Sequence, residues 1–253
     1  MPRAHISIND ALSTHRLHWT RHLMRMLPHS PRCKLCNAPF AGAGRVLLRP
    51  TPYRPSRMNP NLCAACFDHL PLGGAELDIG VLFADVRGFT TLAESRPPAE
   101  VERRLDRFYR VASDVVVRHD GLVDKLVGDA VMALFLPVLV EADACATLVA
   151  AGEGLLHELA DDTGDDALAV GVGVDFGTAF VGNVGPSDLA KDFTAIGDVV
   201  NVASRLQEAA GPGELVVSER VWSALPEREA QVVELELKGK SAPVRARVVR
   251  VAA

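Results

Sequence analysis

The segment Gly121-Leu-Val-Asp-Lys-Leu-Val-Gly-Asp-Ala-Val-Met-Ala-Leu-Phe-Leu136 decides the fold, because two β-rich runs flank Gly128-Asp129. Two such runs joined by two turn residues are typical of a β-hairpin. The hairpin places the carboxylate of Asp129 in a turn. A second acid, Asp85, ends the short apolar run 79–85. A sheet that holds both segments could bring two carboxylates side by side, which suits Mg²⁺ or Mn²⁺.

Predicted helices and predicted strands alternate along the chain on either side of this hairpin. Apolar residues recur at helical spacing, and short β-rich runs lie between these segments. Helices are predicted at 98–119, 141–160 and 198–209, strands at 79–85, 215–218, 231–237 and 244–251, and a second hairpin at 168–185 around Phe176-Gly177-Thr178. The order βαββαβ predicts an α/β (α+β) fold, a ferredoxin-like sandwich.

The N-terminal part of the chain differs in character from this sandwich. A short helix is predicted within 11–27, and a stretch rich in Pro, Gly and Arg follows, with few aliphatic residues to build a core. Paired glycines in Pro71-Leu-Gly-Gly-Ala75 indicate a boundary. The predicted organisation is an N-terminal arm (1–28), a small metal-stabilised module (29–75) and a larger domain (76–253).

Four cysteines in the small module form two pairs, with 26 residues between the pairs: Cys33, Cys36, Cys63 and Cys66. Four thiolates in two tight turns match the tetrahedral preference of structural zinc. Zinc binding could supply on the order of 10 kcal/mol of folding free energy to a segment with little core. An iron–sulfur cluster uses the same four ligands, so spacing alone leaves that alternative open. Disulfides fit a reducing cytoplasm less well.

The 253 residues are 48% hydrophobic and 23% charged, which is a globular composition. No run approaches the ~18 apolar residues of a membrane span, and we expect a cytoplasmic protein. Residues 1–75 carry ten Lys and Arg against two Asp and Glu, whereas the remaining residues carry 17 against 30. This basic part could contact nucleic acid or an anionic membrane. Packing against its own acidic domain, or a second copy of it, is the interpretation we favour.

Three strings together carry a family resemblance: Phe83-Ala-Asp-Val-Arg-Gly-Phe-Thr90, Lys125-Leu-Val-Gly-Asp129 and Thr194-Ala-Ile-Gly-Asp-Val-Val-Asn-Val-Ala-Ser-Arg205. From residue 79 to about residue 251 the chain resembles the catalytic domain of class III nucleotidyl cyclases, the adenylyl and guanylyl cyclase family. The Thr at position 194 resembles the subclass that includes bicarbonate-responsive soluble and bacterial adenylyl cyclases.

The resemblance implies a role for each matching residue. Asp85, Asp129 and the backbone carbonyl of Val86 would hold two Mg²⁺ or Mn²⁺ ions in each active site. Asn201 would orient the ribose, and Arg205 would neutralise charge on the α-phosphate. Lys238 would contact the triphosphate. Separately from the resemblance, residues 87–90 are expected to form a turn that leads toward a helix, where the backbone amides at Phe89 and Thr90 could bind phosphates.

Base recognition would rest on Lys125 and Thr194. A Lys can donate to N1 of adenine, and a Thr hydroxyl can accept from the adenine amino group. Guanylyl cyclases resemble this pattern but carry Glu and typically Cys at these two positions. The resemblance therefore favours ATP as the substrate.

The resemblance implies an adenylate cyclase that converts ATP to 3′,5′-cyclic AMP and pyrophosphate in cyclic-nucleotide signalling. In the family the two metal-binding Asp residues come from one subunit, and the matching Lys, Thr, Asn and Arg come from the other. This chain has all of them, so a homodimer with two equivalent composite sites is expected. A guanylate or mixed-specificity cyclase is one alternative, and a non-catalytic module that senses nucleotide or metal is another.

Overall fold

The computed structural model of the chain describes residues 12, 14–27, 31–56, 61–70, 73–140, 142–160, 167–184, 192–236 and 242–251. The chain divides into two compact units. One contains the residues up to Leu77 together with 179–196, and the other contains 78–178 and the residues from Gly197 onward.

Short helices occur in the described part of the first unit. They are α1 (His15–Arg25), α2 (Gly42–Leu47) and α3 (Ala64–His69), so the predicted N-terminal helix is confirmed over its central part. The guanidinium of Arg21 donates to the carbonyl of Leu35, and that of Arg32 donates to the carbonyl of Met24 at 2.9 Å. Two of the basic N-terminal side chains therefore fix α1 to the cysteine-bearing segment.

The second hairpin is placed differently from the prediction. Residues Val170–Val184 form one continuous strand, β4, and its partner in the first unit is β5 (Asp192–Ile196). Gly177 was predicted as a turn residue but lies inside β4. A Cβ atom there would meet Nη1 of Arg220, the end of a flexible side chain, at 2.9 Å, and the strand continues through this position without reversing.

The second unit is the predicted ferredoxin-like sandwich with additions. Its elements, with the strand β1 that leads into it, are β1 (Gly74–Val86), α4 (Phe89–Ser95), α5 (Pro98–Arg118), β2 (Leu122–Val127), β3 (Ala130–Phe135), α6 (Ala144–Ala160), α7 (Asp198–Ala209), β6 (Glu214–Ser218), α8 (Glu219–Trp222), β7 (Gln231–Leu235) and β8 (Val244–Arg250). The strand order is β2-β3-β1-β4-β6-β8-β7. The first four strands, with α5 and α6, confirm the βαββαβ order.

A continuous core supports this sheet. Helices α5 and α6 pack together, and Phe108, Val115 and Leu148 belong to the same buried cluster as Phe135 on β3. These side chains recur at helical spacing along α5 and α6, and the apolar face of each helix is buried. The ends of β1 and of the β2–β3 hairpin therefore project from a rigid base. No helix within the described residues is long and apolar enough to cross a bilayer.

Candidate active site and metal centre

The structure brings Asp85 and Asp129 together at one end of the sheet. Strands β1 and β3 pair with Asp85 opposite Ala130, and the amide of Val86 donates to the backbone carbonyl of Asp129 at 3.2 Å. Asp129 directly precedes the residue that pairs with Asp85, so the two carboxyl groups are neighbours. Burial, followed by the negative charge of Asp129, raises the pKa of Asp85. A divalent cation bound by both carboxylates would offset their mutual repulsion. These two residues therefore fit the metal-binding role.

The turn that carries Asp129 is fixed by its neighbours. Gly128 has a φ of 62°, a left-handed conformation that glycine adopts without strain. The hydroxyl of Tyr109, on α5, donates to the carbonyl of Gly128. Burial and then the charge of Asp129 raise the pKa of Tyr109, so its hydroxyl stays protonated and able to donate at neutral pH.

Arg87 is a residue of this site whose role the sequence did not reveal. Its Nη2 donates to Oδ1 of Asp85 at 2.6 Å, and its Nη1 reaches the carbonyls of Gln207 at 3.5 Å and Ala210 at 3.4 Å. Those carbonyls end helix α7, where the helix dipole is negative. Arg87 thus ties Asp85 to the helix that bears Asn201 and Arg205. The sequence does contain one indication of this role, because a cationic residue follows the acid at the end of the strand by two positions.

Helix α7 presents two of the predicted residues on one face. Val202 and Leu206 are buried against β6 and β8, whereas Asn201 is exposed. Arg205, four residues further on, keeps 35% of its side chain exposed and pairs with both carboxylate oxygens of Glu208 at 2.7 Å. Ion pairs at such exposed positions contribute about 0–1 kcal/mol, so a phosphate could replace Glu208.

The other predicted substrate ligands lie on separate elements. Lys125 follows an irregularity in β2, where Val123 pairs with Ala133 but Lys125 pairs with Met132. Such a bulge re-aims the side chains that follow it. Thr194 is buried on β5 in the first unit.

Of the residues predicted to contact the phosphates, two are described by the structure and one is not. Phe89 and Thr90 form the start of α4, directly after Gly88, whose φ is 71°. Lys238 lies outside the described residues, so its role stays a prediction.

The four cysteines of the first unit meet in one buried cluster. The sulfurs of Cys33, Cys36, Cys63 and Cys66 all lie within 4.8 Å of one another. The Sγ atoms of Cys36 and Cys63 are 3.6 Å apart. A tetrahedral zinc ion with Zn–S bonds of about 2.3 Å separates its sulfurs by about 3.8 Å. The cluster therefore has the dimensions of a metal site and could hold a metal ion.

Hydrogen bonding within the cluster also suits a metal. The amide of Cys63 donates to Sγ of Cys33 at 3.2 Å, and the amide of Cys66 donates to Sγ of Cys63 at 3.4 Å. Burial raises the pKa of Cys33, but hydrogen bonds from the other three thiols outweigh it and hold the pKa well below its usual range. The hydrogen bond to Cys33 raises the pKa of Cys66. Without a cation the cluster favours one thiolate, and a divalent cation would stabilise the others.

Replacing both Cys63 and Cys66 by Ser should remove the metal and unfold the cysteine-bearing segment 31–70. Metal binding at such a site contributes on the order of 10 kcal/mol, more than a small core can replace. Metal content by mass spectrometry and thermal unfolding with and without chelator measure both effects. Cys145→Ala is the matched control, because Cys145 lies on α6, outside the cluster. Undiminished metal content in the double variant would show that the cluster is not the site.

The family assignment comes from sequence comparison. Residues 75–247 match the model of the adenylate and guanylate cyclase catalytic domain. The chain belongs to this family. The matched range holds every residue assigned above to the nucleotide and its metals, and the four cysteines lie before it.

Similar proteins support the assignment. The uncharacterized protein Rv1318c of Mycobacterium tuberculosis is 37% identical over 185 residues, which are 69% of this chain and 33% of that protein. The chain therefore spans about a third of the length of this relative. The guanylyl cyclase Cya2 has a similar structure, with 26% identity, a TM-score of 0.66, and coverage of 72% of this chain and 96% of that one. The adenylyl cyclase CyaB from P. aeruginosa has 27% identity and a TM-score of 0.60, and the match covers 72% of this chain and 98% of that one.

Proposed function

We propose that this chain is an adenylate cyclase, a phosphorus–oxygen lyase that converts ATP to 3′,5′-cyclic AMP and pyrophosphate. The observation that carries the proposal is the pairing of Asp85 with Ala130, which sets Asp85 beside Asp129 within the range that matches the family. The test is turnover by the purified chain, with chromatographic identification of the product.

The reaction needs an activated ribose hydroxyl and neutralised phosphates. Mg²⁺ or Mn²⁺ held by Asp85, Asp129 and the carbonyl of Val86 would lower the pKa of the 3′-hydroxyl and bind the triphosphate. Asn201 holds the ribose so that its 3′-oxygen lies in line with the bond to the leaving pyrophosphate. Arg205 donates to the α-phosphate oxygens, where charge builds in the transition state.

We further propose that two copies of the chain form each active site. The family resemblance assigns the Asp pair to one subunit, and Lys125, Thr194, Asn201 and Arg205 to the other. The exposure of Asn201 and the weak, replaceable pairing of Arg205 support this arrangement, since both side chains are available to a ligand that a second copy brings.

Lys125 and Thr194 support ATP as the substrate, although the similar solved structures include both an adenylyl and a guanylyl cyclase. A donor from Lys125 matches N1 of adenine, whereas N1 of guanine is itself a donor. The double variant Lys125→Glu with Thr194→Cys is expected to move the ratio of kcat/KM for ATP over GTP by about a hundredfold towards GTP, since mismatched buried polar groups are costly. Competition between the two nucleotides measures the ratio.

Thr194→Ser is the control for that double variant, because it keeps the hydroxyl that accepts from the adenine amino group. A ratio that is the same in the double variant and in the wild type would remove these two residues from base recognition.

For the cysteine cluster we propose zinc as the bound ion. All four sulfurs are buried and lie within 4.8 Å of one another, and among the described residues no carboxylate or imidazole belongs to the group, which suits a structural zinc site closed to solvent. An iron–sulfur cluster would instead show visible absorbance and sulfide in the purified protein, and either finding would overturn zinc.

A further inference from the structure

We propose that metal binding at the four cysteines sets the position of the strand that reads the base, and that Lys34 is the link. This inference rests on the proposed function, in which Thr194 contacts adenine. Lys34 acts as a positioning residue, because it touches the strand next to Thr194.

Lys34 lies between the first two cysteines of the cluster, and its side chain reaches β5. Only 7% of that side chain is exposed. Its Nζ donates to Oδ1 of Asp192 at 3.1 Å and to the backbone carbonyl of Phe193 at 3.2 Å. Both acceptors directly precede Thr194 in the chain. A buried ammonium group needs such partners, so this contact has a defined geometry.

The backbone around Lys34 belongs to the metal site. Its amide donates to the carbonyl of Asn61 at 2.9 Å, which joins the segment of the first cysteine pair to the segment that precedes the second. The amide of Asn37 donates to the carbonyl of Cys33 at 3.0 Å and closes the turn that contains Lys34. A metal held by all four thiolates would therefore fix the direction in which the Lys34 side chain leaves the turn.

Strand β5 depends on such support. It has five residues and, among the described residues, pairs only with β4. The partner of Thr194 in that ladder is Gly182, where a Cβ atom would meet the carbonyl of Gly73 at 2.4 Å. The amide of Asn183 donates to the same carbonyl at 3.0 Å. The β4–β5 hairpin is thus held by the N-terminal residues at two places, Lys34 and Gly73.

The consequence is that metal in the cysteine cluster controls substrate recognition separately from the chemical step. Without metal, the turn between Cys33 and Cys36 opens and Lys34 releases β5. Thr194 then loses its fixed position, which raises KM for ATP and weakens discrimination against GTP. The groups proposed for the chemical step, including Asp85, Asp129 and Arg205, are in the other unit and keep their contacts.

The test compares Lys34→Met and Asp192→Ala with the wild-type chain. The first removes the donor; the second removes one acceptor and lies far along the sequence from the thiolates. Both variants are expected to show faster amide exchange at 192–196, and a KM for ATP raised about five- to tenfold with kcat within a factor of two. Arg49→Met is the control, since Arg49 is an exposed cation of the same unit. It should match the wild type in every measurement.

Removing the metal from the wild-type chain with a chelator should produce the same exchange pattern at 192–196. The inference is overturned if exchange at 192–196 and KM stay at wild-type values in Asp192→Ala, or if metal removal leaves exchange at 192–196 unchanged. Amide exchange needs no catalysis. A chain without cyclase activity would therefore remove the proposed function, while the exchange results would still decide whether the metal positions β5.

Discussion

Replacing Asp129 by Asn is expected to lower kcat for cyclic nucleotide formation by about a thousandfold or more. The amide has the size of the carboxylate and leaves the Gly128 turn in place, but it removes one of two charges that would hold the metals. The substitution also removes a negative charge that raises the pKa of Asp85, so Asp85 ionises more easily in the variant. A loss of activity would therefore not come from protonation of Asp85. The measurement is the initial rate at saturating ATP and Mn²⁺.

Asp114→Asn provides the control for this experiment. Asp114 is an exposed acid on α5, in the same unit as Asp129. It should retain the wild-type rate. If Asp129→Asn kept more than about a tenth of the wild-type kcat, the two-carboxylate metal site would be wrong as the centre of the chemistry.

Mixing two inactive variants is expected to restore activity. Asp129→Asn damages the half-site with the metal ligands, and Arg205→Ala damages the half-site with the phosphate ligand. Each alone should lose about a hundredfold or more. In a heterodimer of the two variants, one composite site combines both intact halves. An equal mixture that exchanges subunits freely should recover about a quarter of wild-type activity.

A second mixture tests whether this recovery comes from complementary halves. Asp85→Asn and Asp129→Asn both damage the same half-site, so their mixture should stay inactive. Differently tagged chains that purify together would prove subunit exchange. No recovery in the first mixture despite proven exchange would contradict the composite site, and equal recovery in both mixtures would point to another cause.

Local sequence pattern predicted most of the second unit. The helix at Pro98–Arg118 has its apolar residues on one face, and the hairpin around Gly128-Asp129 combines β-rich runs with a turn glycine. The positions of Asp85 and Asp129 followed, because a strand end and a hairpin turn in one sheet leave few arrangements. The double pair of cysteines predicted the cluster, since its spacing is specific.

Contacts between residues far apart in sequence could not be predicted. Gly177 suggests a turn unless one knows that Arg220 packs against it. The sequence pattern around Arg87 and Lys34 does not indicate their distant partners, which are a carbonyl 120 residues from Arg87 and a carboxylate 158 residues from Lys34. Periodicity carries no signal for such pairs, because their partners are set by the tertiary packing.

The most direct test of the account is turnover by the purified chain. ATP and GTP would be supplied in parallel with Mn²⁺ or Mg²⁺, and the products identified by chromatography. The purified chain should release 3′,5′-cyclic AMP and pyrophosphate from ATP, at a higher kcat/KM than for any product from GTP. Cyclic GMP as the main product would contradict the assignment of Lys125 and Thr194. No cyclic product from either nucleotide would contradict the proposed catalysis itself.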